Sequence, residues 1–507
     1  SSMGSGCSAR GASTRAAMDA EGEVQAPHAA LAAPEGADDD DRVSPDSPPS
    51  SDKPPAGQPS VVFFHDHDAA LWSQIAESLQ SFAERCKSGE ISSVLDLLQH
   101  LKEMRGLTRN RHQLACLQKA IARAPDVDIC TLEVMLRTVM PFLALLARDL
   151  PALFRDGLRC MTQRRTDQVF LTRRQCVALL AAALFGAIPS PDLQAKVQAR
   201  QLAMPGFDLG FVLDAEVTKC LCLLCYFAQV AEAEDGFLEE VVSFARRADE
   251  ARSLEFWRTV DKPLTRASVM EHSGIEDSHE NLQADFANEY LGGGVLQGGN
   301  VQEEIRFSVC PECLVGMLIC EQMLFNEAIF IVGAQQFCKY RGYGGSFAFD
   351  RPYKEVPRGA ADGRGRVGPH IVALDALVFP GTAQYEEGYI YRELTKAFVA
   401  CLGDLSEDSC ERRPAFATGN WGCGVFGGDP QLKCLIQWMA ASVAERDMVY
   451  FPYGDARMAG VGDVFDAIQS SGARCSDLFR LLTLGHTAKS VFKDVLKALP
   501  QGAVTPS

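Results

Sequence analysis

From Trp72 to about Ala251 the apolar residues recur at three- and four-residue spacing, the period of a helix with one buried face. The runs SVLDLLQHLKEM (93–104), LEVMLRTVMPFLALLARDLPALF (132–154) and RRQCVALLAAALFGAI (173–188) carry it most clearly. Pro141, Pro151 and Pro189 are expected to break them. Strand patterns are scarce, so 61–255 reads as an all-helical domain. After about residue 255 the period shortens. NLQADFA (281–287), AIFIVGA (328–334), HIVALDALVF (370–379), AFATGNW (415–421) and DMVYFPYGD (447–455) read as strands. Helical patterns at 310–323 and 430–445 lie between them, so 256–495 reads as an α/β layer domain, and the chain as α+β overall. Residues 1–60, with the DDDD run at 38–41 and SPDSPPSSDKPP at 44–55, read as a disordered tail, and 496–507 as a second short one.

The 507 residues include 49 Lys+Arg against 66 Asp+Glu, a net charge of −17. This argues against duplex binding driven by overall charge and against sequence-specific nucleic-acid recognition. A local anion site built from backbone N–H groups remains compatible with it. The apolar stretches at 138–147 and 176–188 are too short to span a bilayer, and no opening run resembles a signal peptide. The 18 cysteines are scattered through apolar sequence and are expected to be reduced thiols. Cys310-Pro-Glu-Cys313 has no second pair at zinc spacing and reads as a helix start with Cys313 buried, so no metal is expected.

Two loops can carry chemistry. In the first, Gly292, Gly293 and Gly294 are followed, seven residues on, by Gln302, Glu303 and Glu304. Successive glycines let the backbone approach a ligand and adopt positive φ. Adjacent helical residues point about 100° apart, so the two carboxylates cannot serve one atom in the same way. An ordinary turn, with acidic residues favoured by a helix N-terminus, fits the composition as well. The second loop, TGNWGCGVFGGDP (418–430), joins a strand to a helix. Asp429 suits the N-cap and Pro430 the first helical position, and the four loop glycines can turn N–H groups inward as a diphosphate cradle.

Taken together, DFANEYLGGGVLQGGNVQEEIRF (285–307), TGNWGCGVFGGD (418–429), the hairpin-like AQQFCKYRGYGGSF (334–347) and AERDMVYFPYGD (444–455) resemble, in order, the signature segments of the poly(ADP-ribose) glycohydrolase family. The resemblance implies a macrodomain-like mixed sheet between helices, preceded by a helical accessory domain. It implies hydrolysis of the ribose–ribose O-glycosidic bonds of poly(ADP-ribose), mainly from the chain end, releasing ADP-ribose, without metal or organic cofactor. Glu304 matches the family's catalytic acid/base and Glu303 the residue that holds the terminal ribose. Asn288 is its partner there, Asp285, Gly293 and Gly294 fall with it among the substrate-binding positions, and Gln302, also counted there, orders the same loop. Gly424, Val425 and Phe426 match the diphosphate contacts, and Tyr343 the tyrosine that closes over the nucleotide. Ile275 and Glu276 fall at the adenine edge, and Tyr453 where the family carries an aromatic ring against adenine. By the same resemblance the polymer on poly(ADP-ribosyl)ated proteins is the partner and a monomer the expected state. Nuclear or cytoplasmic residence and a part in the DNA damage response are implied with it. Trp421 and His370 read as structural, and Tyr340 as surface or site rim. A macrodomain that binds the polymer without cleaving it is the competing reading, and hydrolysis of a protein–ADP-ribose ester a third. Only a hydrolase requires Glu304.

Overall fold

The structure, a computed structural model, describes residues 60–61, 68–188, 203–354, 362, 364–407, 413–486 and 490–499. The expected tail over 1–60 lies outside these residues apart from Ser60, as does most of that over 496–507. Helix Val491–Ala498 runs into the latter because Val491, Phe492 and Val495 bury against the core.

A short antiparallel pair joins β1 (Ser60–Val61) to β2 (Leu158–Arg159). The central sheet is built from β3 (Asp167–Thr172), β4 (Val241–Ala248), β5 (Ala267–Val269), β6 (Leu282–Asp285) and β7 (Glu327–Val332). A separate hairpin, β8 (Cys338–Arg341) with β9 (Ala348–Pro352), follows. The sheet is completed by β10 (His370–Ala373), β11 (Phe416–Gly419) and β12 (Met448–Phe451), in the order β3-β4-β7-β10-β6-β11-β12-β5. From β3 to β10 neighbouring strands are antiparallel, and from β10 to β5 they are parallel. The carboxyl ends of β6, β10, β11 and β12 therefore meet at one edge, where open sheets bind ligands.

The expectation of an all-helical segment over 61–255 is corrected by β3 and β4. DQVFLT and VVSFARRA alternate side chains and pair with each other, and β4 pairs with β7 from Ser243↔Val332 to Ala248↔Glu327. Pro141 does not break its helix either. A π-turn at Met135–Val139 precedes it and the chain continues as helix Met140–Arg148, so the proline falls in the first turn of the new helix, where a missing N–H costs little. Helix Arg173–Phe185 has the expected ends. Thr172 and Gln175 form a reciprocal capping box, and Gly186 closes it at φ 73°.

Side-chain alternation splits β7 between two cores. Ile329 and Ile331 join a core that contains Trp72, Leu143, Leu180 and Phe227 of the helical region. Ala328 and Phe330 face the other core, under helices Glu387–Cys401 and Pro430–Val443. The helical region thus shares its core with one face of the sheet. Cys220, Cys222 and Cys225 are buried on helix Val217–Ala231, as read. Cys310 and Cys313 are buried at the 3-10 turn Pro311–Val315.

One buried ion pair ties the two regions together. Arg173 is fully buried and donates to both oxygens of Glu312 and, at 3.2 Å, to the Gly333 carbonyl. Breaking such a pair strands the remaining charge away from water, at a cost of about 3–5 kcal/mol. Arg173→Met is expected to lower the urea midpoint accordingly. Arg173→Met combined with Glu312→Leu should recover most of the loss, as measured by equilibrium unfolding.

Candidate active site

β6 delivers Asp285 to the sheet edge, and a glycine-rich loop leads from there to helix Gln302–Val309. The backbone donors of that loop are met by three consecutive side chains. Gln302 accepts from the Phe286 N–H at 2.8 Å and donates to the Ala284 carbonyl at 3.1 Å. Glu303 accepts from the N–H groups of Asn288, 2.8 Å, and Gly292, 2.6 Å. Glu304 accepts from Gly294 and from Val301, both at 2.9 Å. The loop is thus folded onto the helix start that follows it. Glycine is required where the carboxylates close in. Gly293 stands at φ 49°, and a Cβ there would lie 2.6 Å from Glu303 Oε2 and 2.7 Å from Glu304 Oε1. A Cβ on Gly299 would lie 2.8 Å from Glu304 Oε1.

Glu303 and Glu304 are 2% and 7% exposed, and Asp285 behind them is fully buried. Both Asp285 oxygens lack a hydrogen-bond donor among the described residues. Burial pushes the Asp285 carboxyl up to about 7, with Glu304 adding to the shift and Arg306 opposing it. Burial, and then Asp285, raise Glu303 well above the usual carboxylate range, against its two N–H bonds. The cluster therefore does not hold three full negative charges at neutral pH.

The second loop folds as its glycines suggest. Gly422 and Gly427 take φ 71° and 73°, and Gly428 and Gly427 donate to the carbonyls of Gly422 and Gly424. The N–H groups of Gly424, Val425 and Phe426 donate to no acceptor among the described residues. Asp429 caps helix Pro430–Val443 by accepting from Gln431, 2.8 Å, and Leu432, 3.2 Å. Trp421 is fully buried and donates to the Leu374 carbonyl, so it supports the loop from beneath. His370 sits on β10 with Nδ1 3.6 Å from Glu407, away from the loops.

Between the loops lies a cavity of about 830 Å³, within the roughly 300–1,000 Å³ of small-molecule sites. Of the residues singled out from sequence, Glu276, Asn288, Gly293, Gly294, Gln302, Glu303, Glu304, Tyr343, Gly424, Val425, Phe426 and Tyr453 line it. Ile275 and Asp285 do not. Ile275 is an apolar side chain packed with Ala417 and Phe451, and its N–H donates to the Tyr453 hydroxyl at 3.1 Å. That bond supplies the partner the extra hydroxyl of Tyr453 needs. Tyr343 is exposed at the mouth, on a hairpin tied to the first loop by the Gly344 N–H donating to the Asn300 carbonyl.

The cavity also holds Tyr340, read from sequence as surface or site rim, and residues the sequence reading passed over. Tyr340 donates to Glu276 at 2.5 Å. Arg306 is 5% exposed, faces Glu276 and Asp285, and keeps one guanidinium nitrogen without a partner among the described residues. Arg457 at the mouth is held by Asp455 and the Cys423 carbonyl. The signal for Arg457 was its place just past the carboxyl end of β12. Arg306 carried no signal of its own on the largely polar helix start 302–309.

A helical region packed on a mixed sheet, with glycine-rich loops at the carboxyl ends of its parallel strands, places this chain in the macrodomain class. Residues 254–460 match the family model described as poly(ADP-ribose) glycohydrolase, Macro domain fold, and 131–246 match its helical-domain counterpart. Poly(ADP-ribose) glycohydrolase 1 of Arabidopsis thaliana is 32% identical over 410 residues, 67% of this chain and 73% of its own length. Probable poly(ADP-ribose) glycohydrolase 2 of the same plant is 29% identical over 484 residues, 80% of this chain and 90% of its own. Poly(ADP-ribose) glycohydrolase 1 of Caenorhabditis elegans is 35% identical over 310 residues, 58% of this chain and 37% of its own. The chain belongs to the poly(ADP-ribose) glycohydrolase family.

Two outcomes follow from the loop geometry. Gly299→Ala drives a methyl into the Glu304 carboxyl at an ordinary φ. Turnover is expected to fall about tenfold or more, since displacements near 1 Å cost up to about 100-fold. Steady-state kinetics beside a urea midpoint would check this, the midpoint moving little. The second outcome concerns pH. Folded Asp285 keeps its proton up to about pH 7, whereas an unfolded aspartate releases it near 3.9. The group's contribution to stability is therefore complete below about pH 4 and falls as pH rises towards 7. Asp285→Asn removes that fall. Its urea midpoint should drop less than the parent's between pH 5 and pH 8.

Proposed function

We propose that the cavity takes the terminal ADP-ribose unit of poly(ADP-ribose) and that Glu304 serves as general acid and then general base in cleaving the ribose–ribose bond. The chain is a glycoside hydrolase acting on poly(ADP-ribose), as its family membership implies. The observation that carries the finer reading is the placement of Glu304. Its carboxyl is held at the cavity wall by two N–H groups, beside the φ-positive Gly293.

The departing ribose hydroxyl is a poor leaving group unless protonated as oxocarbenium character develops. Glu304 in its acid form supplies that proton, and the resulting carboxylate takes a proton from the attacking water. Glu303, fixed by its two N–H bonds, accepts from a ribose hydroxyl through its remaining lone pairs. The Asn288 side-chain carbonyl is occupied by the Tyr290 N–H at 3.0 Å, which leaves its amide to donate to the same sugar. The diphosphate sits on the N–H groups of Gly424, Val425 and Phe426. The Tyr453 ring and Glu276 take the base, and Tyr343 covers the nucleotide from the hairpin. Cleavage mainly from the chain end is part of the same reading. Action as a monomer on polymer carried by modified proteins, in the nucleus or cytoplasm and within the DNA damage response, completes the reading.

The test is ADP-ribose release from purified poly(ADP-ribose), followed by chromatography. Positioned acids contribute about 10²–10⁴ to rate, so Glu304→Gln should lose at least about a hundredfold while still binding the polymer. A Glu304→Gln variant as active as its parent would remove Glu304 from the chemistry. A parent that binds the polymer and releases nothing would make the chain a reader.

A further inference from the structure

The helical region reaches into the first loop at one point. Lys219, on helix Val217–Ala231, is 4% exposed. Its Nζ donates to the carbonyls of Val295 at 2.8 Å, Gln297 at 3.1 Å and Gly299 at 2.7 Å. These three carbonyls alternate along the stretch that links Gly294 to Glu304. The N–H groups of the same stretch turn the other way: Gln297 and Gly299 donate back to the Gly294 carbonyl, and Val295 to that of Gly292. Three acceptors around one nitrogen match the three protons of an ammonium, whereas a neutral amine has only two. Lys219 therefore brings a full positive charge under the loop.

The charge lies near the carboxyl that the loop positions. Burial pulls the ammonium below the usual lysine range, and the negative charges of Glu216 and Glu304 pull it back. Gly299 joins the two groups mechanically, with its carbonyl on Lys219 and its α-carbon against the Glu304 carboxyl.

We propose that Lys219 is a positioning residue for the hydrolysis, by which the helical region fixes the Gly294–Val301 loop against which the Glu304 carboxyl is held. The proposal rests on the assignment of Glu304 as acid/base. Lys219 touches no substrate atom and acts through the three carbonyls. Without it the loop carbonyls lose their common donor.

The test uses Lys219→Gln, which keeps a donor but cannot meet three carbonyls, and Lys219→Arg, which keeps several N–H donors on a different geometry. Both are made in the full chain and compared with the parent for kcat and KM, with urea midpoints alongside. In Lys219→Gln, kcat is expected to fall about tenfold or more with KM within about threefold. Lys219→Arg should recover part of that loss. A Lys219→Gln kcat within about twofold of the parent's, or a loss of kcat matched by the lost folded fraction, overturns the proposal. If neither variant folds, Gly299→Ala decides the matter: it displaces the same loop with Lys219 in place, and a kcat equal to the parent's there would show that the path of the loop does not govern turnover and would overturn the proposal. Glu304→Gln measured in parallel separates the two failures. If it is inert while Lys219→Gln behaves as the parent, only the Lys219 role falls. If Glu304→Gln is fully active, the acid/base assignment falls first.

Discussion

A buried glycine-rich loop must find acceptors for its N–H groups, because an unmet buried donor costs about 1–3 kcal/mol. Here the acceptors come from the three residues that open the next helix. Gln302 takes Phe286, Glu303 takes Asn288 and Gly292, and Glu304 takes Gly294 and Val301. The helix gains through its capping bond, since Glu304 accepts from the N-cap residue Val301. The loop gains a fixed path around Gly293. The chemistry follows from the same bonds, because side chains that must reach inward to hold the loop arrive at the cavity wall with their carboxylates desolvated. Shape and reactivity share one set of hydrogen bonds, so neither changes alone.

That arrangement depends on the sheet. β6 lies between β10 and β11, both parallel to it, so three strand ends open onto one edge and the two glycine loops face each other. The helical region stabilises the opposite, antiparallel half. It contributes β3 and β4, a shared core and the Arg173–Glu312 pair, whose carboxylate sits on the turn just after the Glu304 helix. Helix Gln302–Val309 is thus held on one side by its loop and on the other by a turn anchored in the helical region.

The parts legible in the sequence were those where local chemistry and tertiary structure agree. The spacing of Gly292–Gly294 to Gln302–Glu304 reported a loop folded on a helix start, and Asp429-Pro430 reported a helix start outright. The period change near 255 reported the onset of the parallel strands. What stayed hidden was decided by partners distant in sequence. DQVFLT reads as a strand only against β4, some seventy residues on, and β4 only against β7. Pro141 read as a break because a π-turn ahead of it leaves no trace in composition. Ile275 was matched to the adenine edge by resemblance alone, and its side chain packs against Ala417 and Phe451. Lys219 stood in a mostly apolar helical run, where a polar residue is read as the solvent face until the packing shows otherwise, and Arg306 stood among the polar positions of a helix start.

The placement of charge completes the account. A chain of net charge −17 that takes a polyanion cannot depend on its overall field, which repels at long range and is screened beyond about 8 Å at physiological salt. Attraction has to be local. In the proposed binding mode the second loop supplies it with N–H groups, which are neutral and act only over contact distances. Two cations among the described residues stand within the cavity wall, and each faces a carboxylate: Arg306 faces Glu276, and Arg457 is paired with Asp455. An unbalanced cationic cradle would hold released ADP-ribose as firmly as the polymer end, since both carry the same diphosphate. Donors that reward fit more than charge, beside carboxyls that share protons among themselves, let binding depend on the geometry of the reacting unit.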